Sequence, residues 1–326
     1  DPPRAPPSPG GSVPGPVVAG TWPQQALAVS VVCLLLQALP VSYLPAFQAG
    51  ASASLAHLHW GVLLATAMLC ERRVFTAAYL AVFAGWCLRV LLGDGDAVGT
   101  TLLAGVLGYT AMYAWTLVCL RLMGWPRPAG RAGIRQHDVI PYGVCALFLF
   151  PLGWAVAHAA SRALFDPASP QLWAEVLQVG YARFFGVLCV TLPVLLFATG
   201  RHEPAPMPSR IPWWEAALGV AYLALVASLL LVSPRLHQAP FEALLDQRFM
   251  LMVAMIWLAL RLPWRWSAPL VAALMLLLAV LIAWGSRHGP GLDALRLAQL
   301  AAELGVLQLM ILLCLVMSRD NRRAVE

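Results

Sequence analysis

Ionisable and polar side chains inside long apolar stretches are the residues of this chain best placed to do chemistry. A charged group in membrane hydrocarbon is costly and usually serves a function. The residues in such positions are His57, His59, Arg89, His158, Glu175, Gln178, Arg183, Arg296, Gln299 and Glu303. Arg183 and Glu303 lie deepest, each about ten residues or roughly 15 Å from one end of its stretch. Their similar depth predicts that the two side chains meet.

Two hypotheses follow for this pair. The first is a structural ion pair that joins two helices. The second is a ligand site, in which Arg183, Arg89 or Arg296 binds a carboxylate or phosphate and Glu303 accepts a hydrogen bond from an amine or hydroxyl. Under the second hypothesis we expect an unknown small-molecule ligand that carries an anionic group.

The residue pattern gives less support to a metal site, a cofactor or an enzymatic reaction than to a ligand site. His57, His59 and His158 are of a type that binds copper, zinc or haem, but no Cys or carboxylate lies beside them at ligand spacing. We interpret them as interfacial histidines and predict no metal and no cofactor. The chain has no HExxH, phosphate-binding loop or nucleophile elbow. We therefore predict no catalytic residues in this segment, with intramembrane chemistry from scattered residues as the alternative.

The composition is that of a membrane protein. Hydrophobic residues make up 60% of the chain and charged residues 11%, and the mean hydropathy is +0.75, which leaves too few polar residues to cover a soluble globule. The net charge of +6 comes from Arg alone. Because the arginines cluster in short loops between apolar runs, we interpret them as topology signals and phospholipid contacts, and we predict no nucleic-acid binding.

The apolar runs predict an all-α, polytopic bundle of transmembrane helices. Ten spans are expected, at about 24–46, 53–70, 74–92, 98–122, 139–162, 173–199, 213–233, 247–262, 268–286 and 294–317. An eight-span version with two re-entrant segments is the alternative. Arg is most frequent in the loops on one side, which predicts that both termini are cytoplasmic. The polar residues above then lie in the outer half of the membrane, which predicts a pocket open to the extracytoplasmic side and closed below.

Proline and tryptophan refine this picture. Prolines 40, 151 and 193 fall inside predicted spans, where each removes a helix hydrogen bond and permits a kink. Tryptophans near span ends are interpreted as an interfacial aromatic belt. These include Trp60, Trp125, Trp173, Trp213, Trp214, Trp264 and Trp266.

The two ends of the chain differ from its apolar body. Residues 1–22 are rich in Pro, Gly and Ser and predict a disordered cytoplasmic tail. The chain does not begin with Met, so we expect a processed or cut chain. Residues 23–318 form the predicted transmembrane domain, and residues 319–326 the start of a cytoplasmic linker. The final span carries a small-residue face, formed by Ala298, Ala301, Ala302 and Gly305, which predicts close helix packing or a homodimer contact.

Three stretches carry a resemblance to a known family. They are Gly61-Val62-Leu63-Leu64-Ala65 followed by Arg72-Arg73, the run Gly186-Val187-Leu188-Cys189-Val190-Thr191-Leu192-Pro193, and Leu258-Ala259-Leu260-Arg261 through Pro269 to Ile282-Ala283-Trp284-Gly285. Together they resemble the membrane-associated sensor domain of the first class. That family is a bacterial inner-membrane module that precedes diguanylate cyclase, EAL phosphodiesterase or histidine-kinase domains. Where the family commonly has an acidic residue, this chain has Arg183, which favours an anionic ligand.

The resemblance implies a multi-pass sensory domain of the bacterial inner membrane. It also implies a homodimer and signalling through cyclic-di-GMP or a two-component system. The ligand state of the pocket would reach an output module through the final helix. Two other hypotheses stay open: a small secondary transporter or permease, and a scaffold that binds a partner membrane protein.

Overall fold

The described part of the chain is almost entirely helical. The structure, a computed structural model, describes residues 20–38, 57–92, 98–125, 138–165, 172–200 and 212–232, together with 253, 257, 270, 305–306, 308–314 and 316–317. Within these residues 93% are in helices and none is in a strand, which confirms the predicted all-α fold for this part of the chain.

The helices follow one another in the order that the apolar runs predict. The α-helices are α1 (Trp22–Ala38), α2 (Leu58–Leu69), α3 (Arg72–Leu92), α4 (Val98–Leu122), α5 (Val139–Tyr142), α6 (Phe150–Ala163), α7 (Leu172–Gly186), α8 (Leu192–Gly200) and α9 (Trp213–Val232). Two π-helical stretches interrupt them. The first, π1 (Gly143–Leu149), joins α5 to α6, and the second, π2 (Val187–Thr191), joins α7 to α8.

Three helices of the described chain are long and apolar enough to cross a membrane. They are Arg72–Leu92, Val98–Leu122 and the continuous helix Val139–Ala163. Their surfaces fit lipid contact, since Leu92 is 76% exposed and Ile140 is 75% exposed. Such exposure recurs along these helices, at Leu80, Leu88 and Leu103 among others, and an extended exposed apolar surface marks contact with lipid or with a partner. The chain is therefore a membrane protein, whereas ten spans and cytoplasmic termini stay predictions.

Helix α2 is shorter than the span predicted at 53–70. It begins at Leu58 and has 12 residues, about 18 Å of helix against a hydrocarbon core of about 30 Å. Its start is fixed against α7, about one turn before that helix ends, where the N–H of His57 donates to the carbonyl of Ala182 at 2.9 Å. Helix α2 therefore begins part-way along a longer neighbour.

Helix α2 and the junction of α7 with π2 cross in close backbone contact. A Cβ on Gly61 would clash with the carbonyl of Gly186, and a Cβ on Gly186 would clash with the carbonyl of His57. The hydroxyl of Thr191 donates to the carbonyl of Gly61 at 2.9 Å. The first two stretches that carry the family resemblance thus pack directly against each other.

The two π-helical stretches lie beside the prolines of the predicted kinks. Residues Gly143–Leu149 end just before Pro151, and residues Val187–Thr191 end just before Pro193. A proline ring clashes with the carbonyl of the preceding turn and lacks an N–H, and a π-helical widening is a known way to absorb such an interruption. The disruption predicted at both prolines therefore takes the form of a π turn, while residue 40 lies outside the described residues.

Candidate functional site

A cavity of about 690 Å³ lies between several helices, close to the ends of most of them. Its walls come from the end of α1, the start of α2, the first half of α4, the last turns of α3 and α6, and the last turn of α7. Five residues singled out from the sequence line it: His57, His59, Arg89, His158 and Arg183. They come from four helices that are distant in sequence. The fold therefore brings together all five of the predicted polar residues whose side chains it describes.

Arg183 forms the deepest cationic group of the cavity. It is 4% exposed, and its guanidinium carbon lies 5.5 Å from the ring centre of Trp60 and 5.3 Å from that of Trp154. Both distances are within the range of a cation–π contact. The Nε and Nη1 atoms find no hydrogen-bond partner among the described residues. Buried donors of this kind are costly when unpaired, and Arg183 lines the cavity, so its guanidinium is suited to an acceptor bound there.

The predicted partner of Arg183 is Glu303, which lies outside the described residues, as do Arg296 and Gln299. The Arg183–Glu303 ion pair therefore stays a prediction. Glu175 and Gln178 lie on α7 within the described backbone, but their side chains are outside the described set. Their contribution to the cavity also stays a prediction.

The histidines at the start of α2 add polar atoms to the same wall. The rings of His57 and His59 lie 5.5 Å apart, and the ring of His59 lies 4.9 Å from that of Trp60. The Nδ1 atoms of His57 and His59 are buried and find no hydrogen-bond partner in the described part of the chain. Among the described residues, no three His, Cys, Asp or Glu side chains are grouped to bind a metal ion.

The charge of the cavity wall is positive. Arg89, Arg162 and Arg183 line it, and none of the described lining residues is Asp or Glu. Arg89 and Arg162 are exposed and lie in the last turns of α3 and α6, near the mouth, whereas Arg183 is buried. A charge inside a low-dielectric wall acts more strongly than one in water. The cavity is therefore electrostatically suited to an anion.

Aromatic rings form much of the remaining wall, and the sequence did not identify them as site residues. Trp60 is 2% exposed and packs edge-to-face on Trp154, so it lies in the interior of the protein. The prediction that it belongs to the interfacial aromatic belt is therefore wrong. Trp86 and Tyr109 lie 5.5 Å apart. A Cβ at Gly105 would clash with Trp86, which shows why a glycine faces that ring. The sequence carries no signal for this contact, because Trp86 and Gly105 lie on different helices and meet only in the fold.

The other tryptophans of the predicted belt divide into two groups. Trp213 is 82% exposed and Trp214 is 54% exposed, as expected of residues at an interface. Trp125 is buried and donates from Nε1 to the carbonyl of Met68 at 2.5 Å. This contact ties the end of α4 to the end of α2, away from the residues that line the cavity. Trp173, Trp264 and Trp266 lie outside the residues whose side chains are described.

The terminal segment, defined by described residues 305–306, 308–314 and 316–317, packs against both π-helical stretches. A Cβ at Gly143 in π1 would meet the Leu309 side chain at 2.6 Å, and a Cβ at Gly305 would meet Phe148 and Phe184 at 3.1 Å. Gly305 therefore packs within this chain. The other members of the predicted small-residue face, Ala298, Ala301 and Ala302, lie outside the described residues.

Gln308 is a polar residue of the terminal segment that the sequence analysis missed. Its side chain is fully buried, and its Nε2 donates to the carbonyl of Leu188 in π2 at 2.6 Å. The signal was available, because an amide inside an apolar span is as conspicuous as the charged residues that were selected.

Comparison with known proteins places the chain in no family. No family model matches it, and the comparison found no match among curated proteins or solved structures. The resemblance to the membrane-associated sensor domain therefore stays a hypothesis that depends on the three sequence stretches alone.

Proposed function

We propose that this chain is a sensory membrane domain that binds a small anion in the cavity and transmits its binding through the terminal segment. One observation carries the proposal: Arg183 is buried at the cavity wall, and two of its guanidinium nitrogens have no hydrogen-bond partner among the described residues. An anion there would satisfy those donors and offset the cost of burying the charge.

The path from cavity to terminal segment is supported by the position of the π turns. Arg183 precedes π2 by about one helical turn, and His158 follows π1 on the adjacent helix. The terminal segment contacts both stretches through Leu309 and Gln308. π turns often occur at functional sites and can serve as points of rearrangement. A ligand shifts such an arrangement only if it binds one form more tightly than the other.

The proposed topology, membrane and partners of the sensor are supported by sequence features. The apolar runs support eight to ten spans. The distribution of Arg supports cytoplasmic termini and hence a cavity that opens to the extracytoplasmic side. The family resemblance supports a bacterial inner membrane, a homodimer and a cyclase, phosphodiesterase or kinase as the output module. A transporter or a scaffold is the competing function.

The first test is anion binding to the full chain in lipid nanodiscs. Tryptophan fluorescence reports on the site, because Trp60 and Trp154 flank Arg183. We expect a saturable change with at least one of benzoate, hexanoate and phosphate in the wild type. The change should disappear in Arg183→Gln and persist in Arg121→Gln, a matched change of an exposed arginine at the far end of α4.

Two results would count against the proposal. Absence of a saturable response to all three anions in the wild type would overturn anion binding. Uptake of the bound anion into proteoliposomes would replace the sensor with a transporter. A sensor should bind without uptake, and binding should change the hydrogen exchange of the terminal segment.

A further inference from the structure

The start of helix α2 supplies a second positive element beside Arg183. The N–H of His57 is bonded to the carbonyl of Ala182, the residue before Arg183 on α7, and the N–H of Trp60 is bonded to the carbonyl of His57. The first N–H groups of a helix have no acceptor within the helix. In α2 the N–H groups of Leu58 and His59 are in this position. A helix amino terminus also carries a partial positive charge that favours anions.

Arg183 provides an independent reason to place a ligand at this point. It is nine-tenths or more buried, it lines the cavity, and its Nε and Nη1 lack partners among the described residues. His57 and His59, on the first turn of α2, line the same cavity. A planar carboxylate matches the fork of donors on a guanidinium, and a second acceptor oxygen can face a helix terminus.

The balance of charge indicates how many negative charges the ligand carries. Arg183 is the one buried Arg or Lys of the described residues, because the described cavity arginines Arg89 and Arg162 are exposed. A single negative charge would neutralise it. A dianion such as phosphate would bring a second negative charge into a site where uncompensated charge is costly. The site therefore favours a monoanion.

The rest of the cavity indicates what is attached to the charged group. At about 690 Å³ it falls within the range of small-molecule sites, far more than a bare inorganic anion fills. Besides Arg183 the wall includes Ala104, Trp86, Tyr109 and Met112. These side chains favour contact with apolar surface.

We propose that the cavity binds a small organic monocarboxylate with an apolar body. The carboxylate is held by Arg183 and the first turn of α2, and the apolar body lies against Trp86, Tyr109 and Met112. This inference rests on the proposed function, since it names the class of anion that the sensory cavity would take.

The test compares charge and shape with matched probes. Binding of benzoate and hexanoate to the full chain in nanodiscs is measured by tryptophan fluorescence and calorimetry, against benzamide, hexanamide, acetate and phosphate, with empty nanodiscs as the control for partition into lipid. We expect each carboxylate to bind at least about tenfold more tightly than its amide, as expected for a charge-assisted hydrogen bond. Acetate and phosphate should bind at least about tenfold more weakly than benzoate.

Two variants test separately how the cavity binds the carboxylate and how it binds the apolar body of the ligand. Arg183→Gln should weaken benzoate by at least about tenfold and leave benzamide unchanged. Ala104→Phe, which fills the apolar part, should weaken benzoate and hexanoate more than acetate. If Arg183→Gln does not fold, two measurements still test the proposed monocarboxylate site. They are the binding to Ala104→Phe and the comparison of amides with carboxylates in the wild type.

The outcomes distinguish this inference from the proposed function. Tight phosphate binding without carboxylate binding would overturn the monocarboxylate and leave the anion sensor standing. Equal affinity for amides and carboxylates would overturn the role of Arg183 as the carboxylate partner. Absence of any anion binding would overturn both.

Discussion

Gln308 supplies the hydrogen bond that Pro193 withholds from the carbonyl of Leu188. In the i→i−5 pattern of a π-helix the donor to Leu188 would be residue 193, and proline has no N–H. The side-chain Nε2 of Gln308 takes that place at 2.6 Å, and both residues are fully buried. The terminal segment is thus bound to the backbone at the point where helix α7 gives way to α8.

This relationship predicts strong coupling between Gln308 and Pro193. Gln308→Met keeps the length of the side chain but leaves the Leu188 carbonyl unsatisfied, so the free energy of unfolding should fall by about 1–3 kcal/mol. Pro193→Ala restores a backbone N–H that can serve the same carbonyl. In the Pro193→Ala background, Gln308→Met should therefore cost about 1 kcal/mol less.

Thermal and denaturant unfolding of the four proteins of this cycle in detergent measures the coupling. Leu313→Met, a change at a 38% exposed position of the same segment, serves as the control and should change stability by less than about 0.5 kcal/mol. Additive effects of Gln308→Met and Pro193→Ala would show that the two residues do not share the Leu188 carbonyl.

The close crossing of α2 with α7 predicts that Gly61 tolerates no side chain. In Gly61→Ala the new Cβ would clash with the carbonyl of Gly186, and backbone cannot move aside as a flexible side chain can. We expect a loss of about 3 kcal/mol or more in the free energy of unfolding. Gly99→Ala is the control, since its Cβ would meet nothing within 4 Å. Because Gly99 lies in the first turn of α4, this substitution should change stability by less than about 0.5 kcal/mol.

Folded yield and melting temperature in detergent compare the two glycine variants. If Gly61→Ala were as stable as Gly99→Ala, α2 and α7 would have to be further apart than the structure places them. Because His57 and Arg183 are positioned by this crossing, the loss of stability in Gly61→Ala should also be accompanied by loss of anion binding.

Much of this architecture follows from apolar length and periodicity, and the rest depends on packing. Long apolar runs predict helices such as Val98–Leu122 to within a residue or so, because hydrocarbon leaves helix as one of the few options for the backbone. The start of α2 at Leu58 was not predictable in this way. It depends on the hydrogen bond from His57 to Ala182, a residue far along the chain.

In the candidate site, too, some residues could be predicted from the sequence and others only from the packing of the helices. Arg183 stood out because a charge deep in an apolar run is rare. Trp60 and Trp154, which flank it, are each ordinary residues of an apolar helix when read in sequence. Only the folded chain shows that their rings face the same guanidinium, and the two π turns likewise leave no periodic trace in a uniformly apolar segment.

Trp154 should contribute both to stability and to the cavity. Its Nε1 donates to the carbonyl of Met112 at 2.8 Å, and its ring lies 5.3 Å from the guanidinium carbon of Arg183. Trp154→Phe removes the donor and reduces the aromatic face, so we expect a loss of about 1–3 kcal/mol in stability. Trp213→Phe, at an 82% exposed position, should change neither stability nor binding.

Denaturant unfolding and fluorescence titration separate the two effects of Trp154→Phe. A variant that is destabilised but binds benzoate as well as the wild type would show that the ring supports the fold alone. Weaker binding under conditions where the variant is fully folded would place the ring in the ligand site.

The side of the membrane on which the cavity opens can be tested with two exposed residues. Thr101 lines the cavity at the start of α4, and Arg73 lies at the start of α3, near the other end of the same helix pair. In a background without the seven native cysteines, we expect Thr101→Cys to react with a membrane-impermeant maleimide in intact bacterial spheroplasts. Arg73→Cys should react only after the membrane is permeabilised. The opposite pattern would turn the cavity toward the cytoplasm, because α3 and α4 would then cross in the reverse sense, and the signal would have to be a cytoplasmic anion.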